Sequence, residues 1–176
     1  MNKSTFWSDA SRGGAIIGLV SIALTTLGIL IPKVSGILSF VSVVVLIYLL
    51  FYFTRHRASL YAKDGFTYGQ SLGFIVAMGI FSGIIAGAYQ IVASNWLFTA
   101  HFEETYKTLM GILSQAGISN EEMEATAEMY RSMLFSPLPA LIWSIFGNVF
   151  GNGFYGLFIS IGTKRDPDMF ENSDEE

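Results

Sequence analysis

Long uncharged apolar runs alternate with short charged segments along the whole chain. Four runs stand out, at about 13–31, 34–53, 69–93 and 137–162. Each is close to or above the ~20 residues that an α-helix needs to cross a hydrocarbon core about 30 Å thick. The run from Pro137 to Gly162 contains no ionisable residue, yet its centre carries Asn148 and Asn152 among Gly147, Gly151, Gly153 and Gly156. A side-chain amide is costly in lipid unless it finds a partner, and glycine lets a second backbone approach closely. The pattern predicts that this segment is the helix against which the other spans pack. The fold class that follows is an all-α membrane protein with four transmembrane helices.

The small residues within the runs predict how the helices meet. In span one, Gly14 and Gly18 are spaced i, i+4 and share a face. Pro32-Lys33 then breaks the helix, and span two follows so soon that the two must be antiparallel neighbours. Span two is rich in Val, Leu, Ile and Phe, which predicts lipid exposure, with Ser35, Ser39 and Ser42 marking its protein side. Span three carries Gly79, Gly83 and Gly87 at i, i+4, i+8, with Gly69 and Gly73 before them. Such a tandem small-residue stripe is a helix-contact face. It serves either the inner seam of one bundle or a contact between subunits. The inner seam is favoured, because a bundle this small must first pack its own helices. The expected packing set is Gly14, Gly18, Gly79, Gly83, Gly87, Gly147 and Gly151.

The polar segments supply the connections. Residues 1–12 read as a short N-terminal segment, with Lys3, Asp9 and Arg12 and an interfacial anchor at Phe6 and Trp7. Asn2-Lys3-Ser4 matches a glycosylation acceptor by chance if this end is cytoplasmic. The first apolar run exceeds a signal core and has no Ala-x-Ala site after it, so it is expected to stay as a span. Thr54 to Tyr68 reads as a polar loop with Arg55, His56, Arg57 and Lys63, flanked by Tyr48, Tyr52, Tyr61 and Tyr68. A basic loop of this kind touches anionic headgroups, and Asp64-Gly65 is a turn. About 99–136 reads as an amphipathic helical hairpin. Phe102, Tyr106, Leu109 and Leu113 stripe its first helix, which Gly117 ends. Ser119 and Glu122 form a capping box for the second, striped by Met123, Ala127, Tyr130 and Leu134. Its polar side is acidic through Glu103, Glu104, Glu121, Glu122, Glu124 and Glu128. Pro137 and Pro139 suit the first turn of span four. The tail at 163–176 starts with Lys164-Arg165 and turns acidic, a composition expected to be disordered.

Composition agrees with a membrane domain. Charged residues make up 14% of the 176 residues, against about 25% in soluble domains. This length holds one membrane domain and no sizeable second one. Lys3, Arg12, Arg55, Arg57, Lys63, Lys164 and Arg165 fall on the side of the termini, and Lys33, Lys107 and Arg131 on the other. The positive-inside bias places both termini in the cytoplasm and the hairpin outside. The net charge of -4 provides no basic surface suited to nucleic acid. The chain has no cysteine, which excludes thiolate sites and disulfides.

Several short stretches carry a resemblance. Gly65-Phe66-Thr67-Tyr68-Gly69-Gln70 enters span three, and Ala88-Tyr89-Gln90 lies near its exit. An acidic helical segment, Ser136-Pro137-Leu138 and the closing Lys164-Arg165 follow. In this order the chain resembles an uncharacterised bacterial four-helix membrane family, known as domain of unknown function forty-one ninety-nine. It departs from the family pattern after span three, reading Asn95-Trp96-Leu97-Phe98 where the family has a proline. The resemblance implies the four-span fold and a bacterial inner-membrane location, and it implies no activity.

The candidate chemistry lies within the spans. Asn148 and Asn152 sit one turn apart, Tyr155 lies near the same side, and Gln90 is within reach from span three. They form either a polar strip lining a solute path or interhelical hydrogen bonds, with Gln90 as a partner of the asparagines, that fix register. The second is favoured, since no charge accompanies the amides. The hairpin glutamates lack calcium-loop spacing, and His56 and His101 are isolated, so no metal or other cofactor is expected. No span contains the ionisable group that ion coupling usually needs. Phosphate-loop, zinc-protease and lipase patterns are missing, so no catalytic residue is expected. The leading expectation is a non-enzymatic membrane subunit or scaffold, whose partners are the bilayer and either another membrane protein or further copies of itself. The alternative is a small channel or uncoupled transporter lined by Gln90, Asn148, Asn152 and Tyr155.

Overall fold

The computed structural model describes residues 3–61, 64–115 and 119–166. Lys63, Gly117 and the acidic tail beyond 166 lie outside them, as does Asn2 of the glycosylation match. Six α-helices follow in order: α1 (Lys3–Leu30), α2 (Ser35–Ser59), α3 (Tyr68–Val92), α4 (Thr99–Gln115), α5 (Asn120–Phe135) and α6 (Pro137–Thr163). Four stretches are long and apolar enough to cross a membrane: Thr5–Leu30, Pro32–Ser59, Tyr68–Leu97 and Pro137–Thr163.

The helix ends follow local chemistry. Pro32 lacks an N–H and disfavours helical backbone before it, and Ile31 leaves the helix at φ -126°, ψ 74°. One 3-10 turn, Pro32–Val34, joins α1 directly to α2. Gly65 takes φ 78° to reverse the chain before α3. Thr67 then caps α3 reciprocally with Gln70, through contacts of 2.9 and 3.2 Å. The box expected at Ser119 and Glu122 forms at the start of α5. Between α3 and α4 the chain makes a wide π-type turn, Ala93–Leu97. Asn95 holds it by donating to the carbonyls of Ile91 at 3.0 Å and Phe135 at 3.1 Å.

Three expectations about the helices need correction. The N-terminal segment is not a short polar lead, because α1 begins at Lys3; nor is 54–59 a loop, because α2 runs on to Ser59. Backbone hydrogen bonding carries both helices past their apolar runs. The helices therefore contain charged residues that the runs themselves lacked. The organising helix is also α3 rather than α6. Half of the membrane-length window of α3 is buried, against 22% for α6. α3 packs on α6, α1 and α2, whereas α6 lies chiefly on α3. α2 is the most exposed span, at 6% buried, which suits its aliphatic composition.

The core gathers near the end that carries both termini. There Ala10, Ile17, Leu50, Phe74, Ile75, Met78 and Ile159 form one buried cluster. The same end is closed by an antiparallel bridge, in which Phe66 and Arg165 exchange backbone hydrogen bonds at 2.8 and 2.9 Å. At the opposite end α1, α2 and α4 splay apart around adjoining clefts of about 410 and 650 Å³.

Candidate functional site

The α3 glycines put its backbone directly against α6. A methyl group on Gly83 would lie 2.6 Å from Ile145 Cα, and one on Gly79 would lie 3.1 Å from the Asn148 carbonyl. Gly87 meets Leu141 and Ser144 in the same way. The stripe therefore lies in a seam within one chain. Gly14 and Gly18 build the seam on the other side of α3, against Met78, Phe81 and Ile85. Gly147 and Gly151 differ from expectation, since nothing lies within 4 Å of a methyl placed on either. They sit on the face of α6 turned away from α3. Gly13 and Gly156 pack tightly in their place, against Met78 and Ile75.

The close approach in the α3–α6 seam brings polar groups together. Asn152 is 2% exposed, and its amide donates to Ser82 Oγ at 3.5 Å. The Ser82 hydroxyl lies 3.1 Å from both Asn148 Oδ1 and the Gly79 carbonyl, either of which accepts its proton. Asn148 Nδ2 donates to the Ser144 carbonyl at 2.9 Å, and Ser144 Oγ donates to the Gly83 carbonyl at 3.0 Å. The asparagines thus find their partners in two serines and the main chain. Gln90 is elsewhere, donating to the Met133 carbonyl of α5 at 3.2 Å. Tyr155 packs against the apolar core, with its ring edge-on to Phe154 at 5.7 Å. The four residues of the expected strip do not meet as one lining.

Ser82 and Ser144 were legible in principle. Ser82 lies beside Gly83 in the stripe, and Ser144 lies one turn before Asn148. A second polar centre was hidden by the assumption of a loop. Arg57 is 2% exposed and sits where α1, α2 and α3 meet. Its Nη1 lies 2.5 Å from Asp9 Oδ2, and its Nη2 donates to Tyr61 Oη at 3.1 Å. Its guanidinium stands 5.1 Å from the ring centres of Phe6 and Phe74 and 5.4 Å from that of Tyr61. Phe6 is therefore part of this buried contact rather than a free interfacial anchor, whereas Trp7 beside it is 56% exposed. Arg57, being buried, also leaves the basic set expected to touch headgroups. Arg55 remains exposed at the same end.

The cap formed by α4 and α5 is only partly buried. No residue of α4 is buried, and its stripe of Phe102, Tyr106, Leu109 and Leu113 is half-covered. Arg131 reaches Glu103 at 3.7 Å across the hairpin, an exposed pairing that contributes little. His101 and Glu104 border the 650 Å³ cleft with Gly28, Pro32 and Ser35. Among the described residues no three His, Asp or Glu side chains gather closely enough to hold a metal.

Comparison with known proteins agrees with the family resemblance. A family model described as a protein of unknown function (DUF4199) matches residues 12–163, and the chain belongs to that family. No curated protein and no solved structure matches it.

Proposed function

We propose that this family member is a non-enzymatic membrane subunit or scaffold, with both termini in the cytoplasm and the α4–α5 cap outside. The observation that carries the reading is the cap. α4 buries none of its residues within the chain, and it stands off α1 and α2 across the 650 Å³ cleft. Ile112 on α4 is 61% exposed and Met129 on α5 is 46% exposed. An amphipathic helix with a half-covered stripe has binding surface left for another protein. The membrane layer supports the same reading. Its asparagines are engaged with Ser82, Ser144 and the main chain, which is the arrangement of a register lock rather than a solute path.

The test is a photo-crosslinker placed at Ile112, followed by mild-detergent purification from native membranes and mass measurement of the intact complex. The expected product contains a second protein at fixed stoichiometry. The same crosslinker at Phe150, on the outer face of α6, should not capture it. A monomer or homo-oligomer alone would overturn the subunit reading. The double change Asn148→Leu, Asn152→Leu should leave the assembly intact, whereas a transporter would lose its flux.

A further inference from the structure

A groove of about 320 Å³ runs along α2 at the end that carries the termini. It is lined by Tyr48, Phe51, Tyr52, Arg55, His56, Ser59 and Arg165. Among the described residues, two arginines line it and no carboxylate does. Arg165 comes from the far end of the chain, and the two backbone bonds to Phe66 set its place beside α2. The Arg55 guanidinium stands 5.7 Å from the Phe51 ring centre. Tyr48, Tyr52 and His56 stack successively along the helix, at 6.2 and 6.5 Å between ring centres.

We propose that this groove binds one anionic phospholipid, with its phosphate between Arg55 and Arg165 and its glycerol and upper acyl chain along Tyr52, Tyr48 and Phe51. The geometry favours a lipid over a free anion or an acidic peptide. Arg55 is the first charged residue of α2, and Tyr48 lies two turns, about 10 Å, deeper along the helix. The groove therefore passes from the headgroup layer into the hydrocarbon, with charge at one end and aromatic carbon at the other. Guanidinium groups match phosphate oxygens in a fork, and tyrosines favour the membrane interface. A soluble anion would use only the arginine end.

The site is independent of the scaffold reading, and so is its test. The purified full chain is loaded with an equimolar mixture of phosphatidylglycerol and phosphatidylcholine in mild detergent. Native mass spectrometry then reads the ratio of lipids retained. The wild type should prefer phosphatidylglycerol. Arg55→Ala with Arg165→Ala should reduce that preference about tenfold or more, each arginine contributing a comparable share. Arg131→Ala, at the other end of the molecule, should leave it unchanged. Both groove arginines are exposed, so folding should survive, and thermal unfolding without added lipid checks this. Arg55→Lys with Arg165→Lys should keep part of the preference even if the alanine variant is unstable. An unchanged ratio in the alanine variant would overturn the site. Displacement of the lipid by inorganic phosphate at similar concentration would overturn the lipid assignment in favour of a free-anion site.

Discussion

Arg57 illustrates how a single side chain depends on its surroundings. Burying a guanidinium costs several kcal/mol unless charge and hydrogen bonds compensate. Here Asp9, Tyr61 and the faces of Phe6 and Phe74 compensate it. Asp9→Asn should therefore destabilise the protein by about 3 kcal/mol, the lower end of the buried-pair range, because Asp9 is itself 36% exposed. Thermal unfolding in detergent measures this, and a loss under about 0.5 kcal/mol would show that the aromatic cage suffices. Glycines give a sharper contrast. Gly83→Ala places a methyl 2.6 Å from Ile145 Cα, which is backbone and cannot swing aside. The expected loss is about 1–3 kcal/mol from overpacking. Gly147→Ala meets open space and should be neutral or stabilise by about 0.5–1 kcal/mol through helix propensity. Equal effects at the two positions would contradict the seam. Stripe spacing marks Gly79, Gly83 and Gly87, but spacing alone does not tell which face of α6 turns inward, and Gly147 and Gly151 lie on the open face.

Helix boundaries were legible where a side chain ends a helix and illegible where only apolarity did. Pro32, Ser119 with Glu122, and Pro137 mark ends through their own backbone chemistry. The true start of α1 and the true stop of α2 lie in charged sequence, where hydropathy carries no signal but hydrogen bonds continue. The same holds for the turn after α3, where Asn95 donates to two nearby carbonyls. Ser119→Ala removes one member of the α5 cap and should cost about 1 kcal/mol. The loss should be local, because α5 belongs to the cap rather than to the bundle. Hydrogen exchange should accelerate in the first turn of α5 and stay unchanged in α3. Faster exchange in α3 would mean that the cap and bundle fold as one unit.

At the scale of the molecule, the bundle is closed at one end and splayed at the other. The buried cluster, the Arg57 centre and the Phe66–Arg165 bridge all lie at the terminal end, and the clefts lie at the cap end. This asymmetry predicts different mobility and different access. Since the chain has no cysteine, single introduced cysteines report sidedness without background. Ser114→Cys on α4 should react with an impermeant maleimide in intact cells, and Ser59→Cys at the end of α2 should react only after the membrane is opened. The reverse pattern would invert the orientation proposed from the arginine and lysine bias.

The sequence by itself determined the four long apolar helices, the two amphipathic helices before the last of them, and the family. Each depends on local quantities: run length, helical periodicity, caps and short motifs. Only the tertiary structure decided which helix is central, which glycines face a neighbour, and which polar groups meet. Asn152 and Ser82 stand 70 positions apart, and Asp9 and Arg57 stand 48 apart. Such pairs are fixed by the rotation and crossing of whole helices. That rotation results from packing many small contacts at once, and no single stretch of chain records it.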